Sequence, residues 1–173
     1  MIDCQNTYTQ GIMKLEGVDA ALAEAARPLA RARTAGIPVI HIMHDAGAGT
    51  PYDVVAPIGQ ITEAVAPKPG EPVIVKRYPS SFVQTVLDEQ LSSGPTKNLI
   101  LAGFMTHMCV NSTARDAFNR GYQPTVVASA TATRELPGPD AVPVSAADLQ
   151  AASLATIADL FGVVVGKPDD IPD

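Results

Sequence analysis

The sequence has no tryptophan, four tyrosines, four phenylalanines and only two cysteines in 173 residues. With so few large rings, a core has to be built from Ala, Gly, Val, Ile and Leu, which favours close packing of helices on a sheet. Two cysteines cannot make a disulfide framework, so a reducing, cytoplasmic setting is expected. No apolar run approaches the roughly 20 residues of a membrane-spanning helix, and no secretory signal pattern opens the chain. Positive charge is also short: 12 Lys and Arg against 18 Asp and Glu leave a net charge of −6, with no basic run. A phosphate backbone would be repelled, which argues against nucleic acid as a partner.

What is present fits an ordinary globular balance, 46% apolar and 17% charged, on a length suited to one domain over residues 1–173. The chain opens abruptly. "MIDCQNTY" puts a polar, motif-like cluster two residues in, so Met1 and Ile2 read as the end of a clipped strand. Residues 17–36 carry Val18, Leu22, Ala25, Ala26 and Leu29 at helical spacing, with Pro28 predicting a kink and Gly36 a stop. "IPVIHIMH", "PVIVK", "KNLILAGF", "QPTVVASAT" and "GVVVG" read as strands. Helices are expected at "STARDAFNRG" and at "SAADLQAASLATIADLF", the latter with Ser145 as N-cap. Apolar strands alternating with amphipathic helices predict a three-layer α/β/α, Rossmann-like domain with a mostly parallel central sheet of about six strands, counting the clipped one. Residues 167–173 read as a frayed tail. Two long loops, 45–71 and 132–144, are candidates for building a site or contacting a second copy in a homo-oligomer.

In such sheets ligands bind beyond the carboxyl ends of the strands. Asp3, Gln5 and Asn6 follow the first strand; His41, His44 and Asp45 belong to the second. Lys76 and "RYPSSF" follow the third, and Thr106, His107 and Cys109 the fourth. An acid, a cation and a thiol therefore converge on one rim. Cys109 sits where a turn passes into a helix, where exposed N–H groups and the Lys76 ammonium would lower its pKa. Asp3 could take the thiol proton and return it to a leaving amine. Singly, each residue has a plainer reading: a buried small residue for Cys109, a turn former for Asp3, a solvated charge for Lys76. Cys4 should point away from Asp3 into the core. The sequon at Asn111 falls inside a helix and is discounted.

Taken together and in order, "IDCQNTY", "VIVKRYPSSF" and "GFMTHMCVNSTARDAFNRGY" resemble the isochorismatase-like cysteine hydrolase family over nearly the whole chain. The resemblance implies an Asp-Lys-Cys triad at Asp3, Lys76 and Cys109. It also implies a cis peptide between Phe104 and Met105 and an oxyanion hole formed by the N–H groups of Met105 and Cys109. Gln5, Tyr8, Tyr78, Phe82 and His107 are candidate substrate contacts from their nearness to these motifs, and Arg77 is a candidate for recognising a carboxylate. Family members that bind a divalent metal use more histidines than "HIMHDAGAG" offers; His44 and Asp45 alone are too few, so no metal and no cofactor are expected. Retention of Cys109 favours covalent cleavage of a C–N bond in a small amide, lactam or ureido compound. The alternatives are hydrolysis of a vinyl ether, or a non-catalytic thiol that senses redox state or binds a ligand.

Overall fold

The computed structural model describes residues 1–94 and 97–171. Its sheet strands are β1 (His41–His44), β2 (Val73–Lys76), β3 (Asn98–Phe104) and β4 (Gln123–Ala132). A small hairpin follows, of β5 (Leu136–Pro137) and β6 (Pro143–Val144), and then β7 (Val163–Val165). The helices are α1 (Val18–Thr34), α2 (Leu87–Ser92), α3 (Asn111–Asn119) and α4 (Ala146–Thr156).

Strand β1 pairs in parallel with β2, and β3 with β4, which pairs with β7. Ile2 joins the two halves by bridging Ile42 on one side and Gly103 on the other, both in parallel. The spatial order is therefore β2-β1-Ile2-β3-β4-β7, the expected parallel sheet with its short first member in the middle. Four backbone hydrogen bonds of 2.8–3.0 Å hold Met1, Ile2 and Asp3 in that gap. Gly103 is what lets them in. Its φ is +129°, and a Cβ there would stand 1.9 Å from the Ile2 carbonyl oxygen, so any side chain would push Ile2 out of the sheet.

Helices cover both faces. On one, α1 presents Val18, Ala21, Leu22, Ala25 and Leu29 to a core shared with Cys4, Tyr8, Phe104 and Val127. On the other, Ala114 and Ala117 of α3, Leu87 of α2 and Ile157 after α4 pack with Ile2, Ile42, Leu101 and Cys109. The buried alanines allow the close approach that the shortage of aromatics required. Each fully buried Leu or Ile contributes about 1.5–3 kcal/mol.

Several expectations change. Helix α1 runs through Pro28 as one element, Val18–Thr34. Strand β1 is shorter than "IPVIHIMH", because its neighbour Ile2 offers pairing only near Ile42. Strand β2 lies at the sheet edge and alternates, with Val73 and Val75 exposed. The tail is tied down as far as it is described, through an Arg27–Asp169 ion pair and an Asp170 carboxylate that accepts from the Lys167 N–H; positions 172 and 173 lie outside the described residues. Among the described residues, no helix is long and apolar enough to cross a membrane.

Candidate active site

The cluster forms at the carboxyl ends of Ile2, β1, β2 and β3. Asp3 leaves the sheet directly after the Ile2 bridges with a φ of +47°. That left-handed conformation costs a non-glycine residue of order 1–3 kcal/mol and draws attention to the position. Lys76 is the last residue of β2, and its inward-facing register sends the side chain under the sheet rim. Cys109 lies in a wide helical turn, Thr106–Val110, that links β3 to α3. The turn begins after a cis peptide between Phe104 and Met105, and the Met105 carbonyl accepts from the N–H groups of both Met108 and Val110.

These three side chains meet. Lys76 Nζ is 2.7 Å from Asp3 Oδ2 and 3.2 Å from Cys109 Sγ. The side chains of Asp3 and Lys76 are completely shielded from solvent, and Cys109 is 5% exposed. Nζ also approaches His44 Nδ1 at 3.4 Å, so the ammonium has a carboxylate, a thiol and an imidazole around it. The Lys76–Asp3 contact is an ion pair without a well-angled hydrogen bond, and both Asp3 oxygens keep unused acceptor capacity.

Burial first, then the Asp3 charge, push the Cys109 pKa up to about 12, against the lowering effect of Lys76. The sequence had suggested the opposite direction from the helix start and Lys76; desolvation of the anion outweighs both. Burial likewise raises Cys4 to about 12. What separates the two thiols is therefore their company. Cys4 faces the core and its sulfur reaches only the Ile2 carbonyl, at 3.7 Å, whereas Cys109 touches a cation and lies beside a carboxylate. His44 has its pKa lowered, chiefly by burial and then by Lys76, which leaves a neutral ring able to accept from the ammonium.

Among the other candidates, Gln5 is fully engaged. Its amide donates to the carbonyls of His44 and Gly59, at 3.0 and 2.6 Å, and its oxygen accepts from the His44 N–H at 2.8 Å. It positions the end of β1 and has no group left for a ligand. Tyr8 is buried, edge-on to Tyr52 and Phe104, and Tyr52 is in turn edge-on to His44 at 5.1 Å; together they wall the cluster. Phe82 packs in the core, stacked on Tyr122. Tyr78 is 44% exposed. His107 is half-buried with Nδ1 against the Thr133 hydroxyl. Arg77 points to solvent and pairs with Asp45 at 3.3 Å, and Asp45 also accepts from the Gly47 N–H. Both Asp45 oxygens are thus engaged away from a shared ligand set with His44. Among the described residues, no three His, Cys, Asp or Glu side chains gather as a metal-ligand set.

Sequence reasoning passed over Tyr52 and the role of His44 beside Lys76. His44 had been weighed only as a metal ligand. Tyr52 sits in a long loop, and nothing local marks it.

A parallel α/β sheet with an acid, a lysine and a cysteine buried together at its carboxyl rim defines a hydrolase-like architecture. Residues 1–169 match the isochorismatase domain family, and the chain belongs to that family. It is 35% identical over 170 residues to a secreted isochorismatase effector of Verticillium dahliae, covering 98% of this chain and 87% of that protein. It is 32% identical to a maleamate amidohydrolase of Pseudomonas putida, covering 98% and 82%. The crystal structure of an isochorismatase from Pseudomonas putida superposes with a TM-score of 0.92 at 40% identity, covering 95% of this chain and 84% of that one. The family thus includes amidohydrolases.

Proposed function

We propose that this protein is a cysteine hydrolase that cleaves a C–N bond of a small molecule through a covalent acyl-enzyme. The observation that carries the reading is the buried contact of Lys76 with both Asp3 and Cys109, at 2.7 and 3.2 Å. Burying a charge pair costs several kcal/mol per ion, a cost that fold stability alone does not call for. Next to a thiol, the pair has a use.

As a substrate carbonyl meets Cys109 Sγ, the thiol proton moves to Asp3, whose oxygens have room to accept it. The ammonium of Lys76 stabilises the sulfur as it becomes anionic, so the high resting pKa is overcome only when the nucleophile is needed. The S–C bond forms, and the carbonyl oxygen takes the negative charge and accepts from the N–H groups of Met105 and Cys109. As the C–N bond breaks, Asp3 gives its proton to the departing nitrogen. Water then attacks the thioester with Asp3 as base, releasing the acid and restoring the thiol.

The test is ammonia release across primary amides and ureido compounds, ring opening of lactams followed by mass spectrometry, and intact-mass detection of an acyl adduct on Cys109. Cys109→Ala should lower turnover on the order of 10³-fold or more. Absence of turnover across the whole panel would overturn the reading. Hydrolysis of a vinyl ether that survives Cys109→Ala would point instead to that chemistry, which needs no thiol.

A further inference from the structure

His44 ends β1 and Lys76 ends β2, and the two are partners in the parallel register. Their side chains therefore leave the sheet on the same face, and His44 Nδ1 comes within 3.4 Å of Lys76 Nζ. The ring is held there from several sides. Gln5 grips the His44 backbone at both its N–H and its carbonyl. The next N–H along, that of Asp45, donates to the Lys76 carbonyl at 2.9 Å, and the Tyr52 ring stands edge-on to the imidazole. The hydrolysis mechanism gives this imidazole no step, although it touches the cation on which that mechanism depends.

An ammonium is a donor only, so the contact attracts only while Nδ1 is bare and the ring proton sits on Nε2. The charged groups that face the ring are Lys76 from β2, Asp3 after the Ile2 bridges and Asp45 on its own loop. Burial and then Lys76 lower the His44 pKa, against the two carboxylates, and Arg77 engages Asp45. The other two neighbours of the ammonium change during the proposed reaction. Once Asp3 holds the thiol proton and the sulfur is bonded to the acyl carbon, neither offers Lys76 a negative charge. The Lys76 side chain is shielded from solvent, so water does not take their place. The neighbour that stays the same throughout is His44.

We infer that His44 is a positioning residue that holds the Lys76 ammonium beside Cys109 while Asp3 is protonated and the sulfur acylated, and that protonation of its ring in acid releases the ammonium and stops turnover. No bond is made or broken at His44. An asparagine in its place would accept from the ammonium equally well but would not titrate. The imidazole therefore adds a pH gate to a contact that a neutral amide could make. The inference rests on the hydrolase reading for its turnover half; the contact and the titration of the ring do not.

Two readouts separate the halves. Nitrogen-15 NMR of the imidazoles needs no substrate; the chain has three histidines, and His44→Asn assigns the signal. The His44 ring should carry its proton on Nε2 at neutrality and titrate below its ordinary value of about 6.5. A proton on Nδ1 at neutrality would overturn the contact. The second readout is the pH profile of kcat on the best primary amide of the hydrolysis panel, whose acid limb should coincide with the NMR midpoint. His44→Asn keeps an acceptor near Nδ1 and cannot be charged, so it should retain most of kcat near neutrality and lose that limb. His44→Leu removes the acceptor and should lower kcat by about 10- to 100-fold, the range for a hydrogen bond to a charged group, with little change in KM. An acid limb owed to Asp3 would persist in His44→Asn and overturn the gate. If no amide is hydrolysed yet the ring keeps a bare Nδ1 and titrates low, the hydrolase reading fails and the contact stands. If amides are hydrolysed, the limb is unmoved in His44→Asn and kcat is unchanged in His44→Leu, the role of His44 is overturned and the hydrolase reading stands.

Discussion

Two ion pairs, one partly buried and one fully buried, lie at opposite ends of the same sheet. At the amino end, Glu71 is saturated. It accepts from Arg33 Nε and a terminal Arg33 nitrogen at 2.7 Å each, from the Lys68 N–H at 2.8 Å, and meets His41 Nε2 at 3.0 Å. At the carboxyl end, Asp3 meets Lys76 at 2.7 Å but leaves both oxygens with spare capacity, and the cation is shared with a thiol and a neutral imidazole. The first arrangement pins α1 and the loop before β2 to the start of β1. The second is under-satisfied on purpose-like terms: a carboxylate that can still take a proton stands beside a group that can lose one. The amino end also carries a cavity of about 1150 Å³, lined by apolar residues such as Ile37, Ile40, Leu99 and Ile100 and not by Cys109. Cavity size and chemistry thus separate here, and the saturation of hydrogen-bonding groups is the better guide to which end reacts.

The comparison is most sharply tested by removing one partner at the reactive end. Lys76→Met should lower amide turnover by about 10²–10⁴-fold through loss of charge stabilisation. It should also destabilise the fold by about 3–5 kcal/mol, because Asp3 is left as an uncompensated buried charge. Adding Asp3→Asn should restore most of the stability and none of the activity, measured by denaturant unfolding and ammonia release. Recovery of activity in the double variant would show that the pair is structural, like its counterpart at the other end.

At the amino end the expected effect is smaller and falls on stability alone. Arg33 hydrogen bonds, opposed by burial and helped by the Lys68 N–H and His41, hold the Glu71 carboxyl well below the usual carboxylate range. A depressed folded pKa contributes stability that is present above the unfolded value of about 4.3 and is lost as pH falls through the folded value. Glu71→Gln should therefore cost about 1–3 kcal/mol near neutrality, with the gap from wild type closing below pH ~4. Turnover per folded molecule should not change. A deficit that stays constant into strong acid would mean that Glu71 acts through packing and not through its charge.

Much of this was legible in the chain. Apolar strands separated by helical periodicity gave the layers, and the rule that ligands gather at strand carboxyl ends brought Asp3, Lys76 and Cys109 together before any coordinates did. Ser145 caps α4 as its sequence position suggests, accepting from the Asp148 N–H at 3.1 Å. What stayed hidden depends on distant partners. Gln5 looked like a free polar side chain, and only the approach of residues 44 and 59 shows it to be fully used. Arg77 looked like a free charge as well, and only the position of Asp45 shows it to be paired. The thiol pKa was misjudged because burial, the largest influence on Cys109, is a property of the folded rim and not of the turn that carries it.

The smallest effect concerns the two thiols, and it tests whether Cys109 is special by its neighbours alone. Both are raised to about 12, so alkylation by iodoacetamide at pH 8 should be slow for each. Lys76 lowers Cys109 and does not act on Cys4, whereas the Asp3 charge raises both. Lys76→Met should therefore slow Cys109 alkylation by about tenfold, the lower end of what an adjacent opposite charge does to a pKa, and leave Cys4 unchanged. Asp3→Asn should speed both. Methionine keeps much of the lysine stem's packing, so the comparison isolates charge from collapse of the rim. Site-resolved mass spectrometry gives the two rates in one sample, with Cys4 as the internal control for general loosening. If Cys4 and Cys109 change together in Lys76→Met, the variant has opened the fold. If neither changes, Lys76 does not govern the sulfur, and the contact at 3.2 Å is a consequence of the Asp3 ion pair instead of a device for stabilising the thiolate.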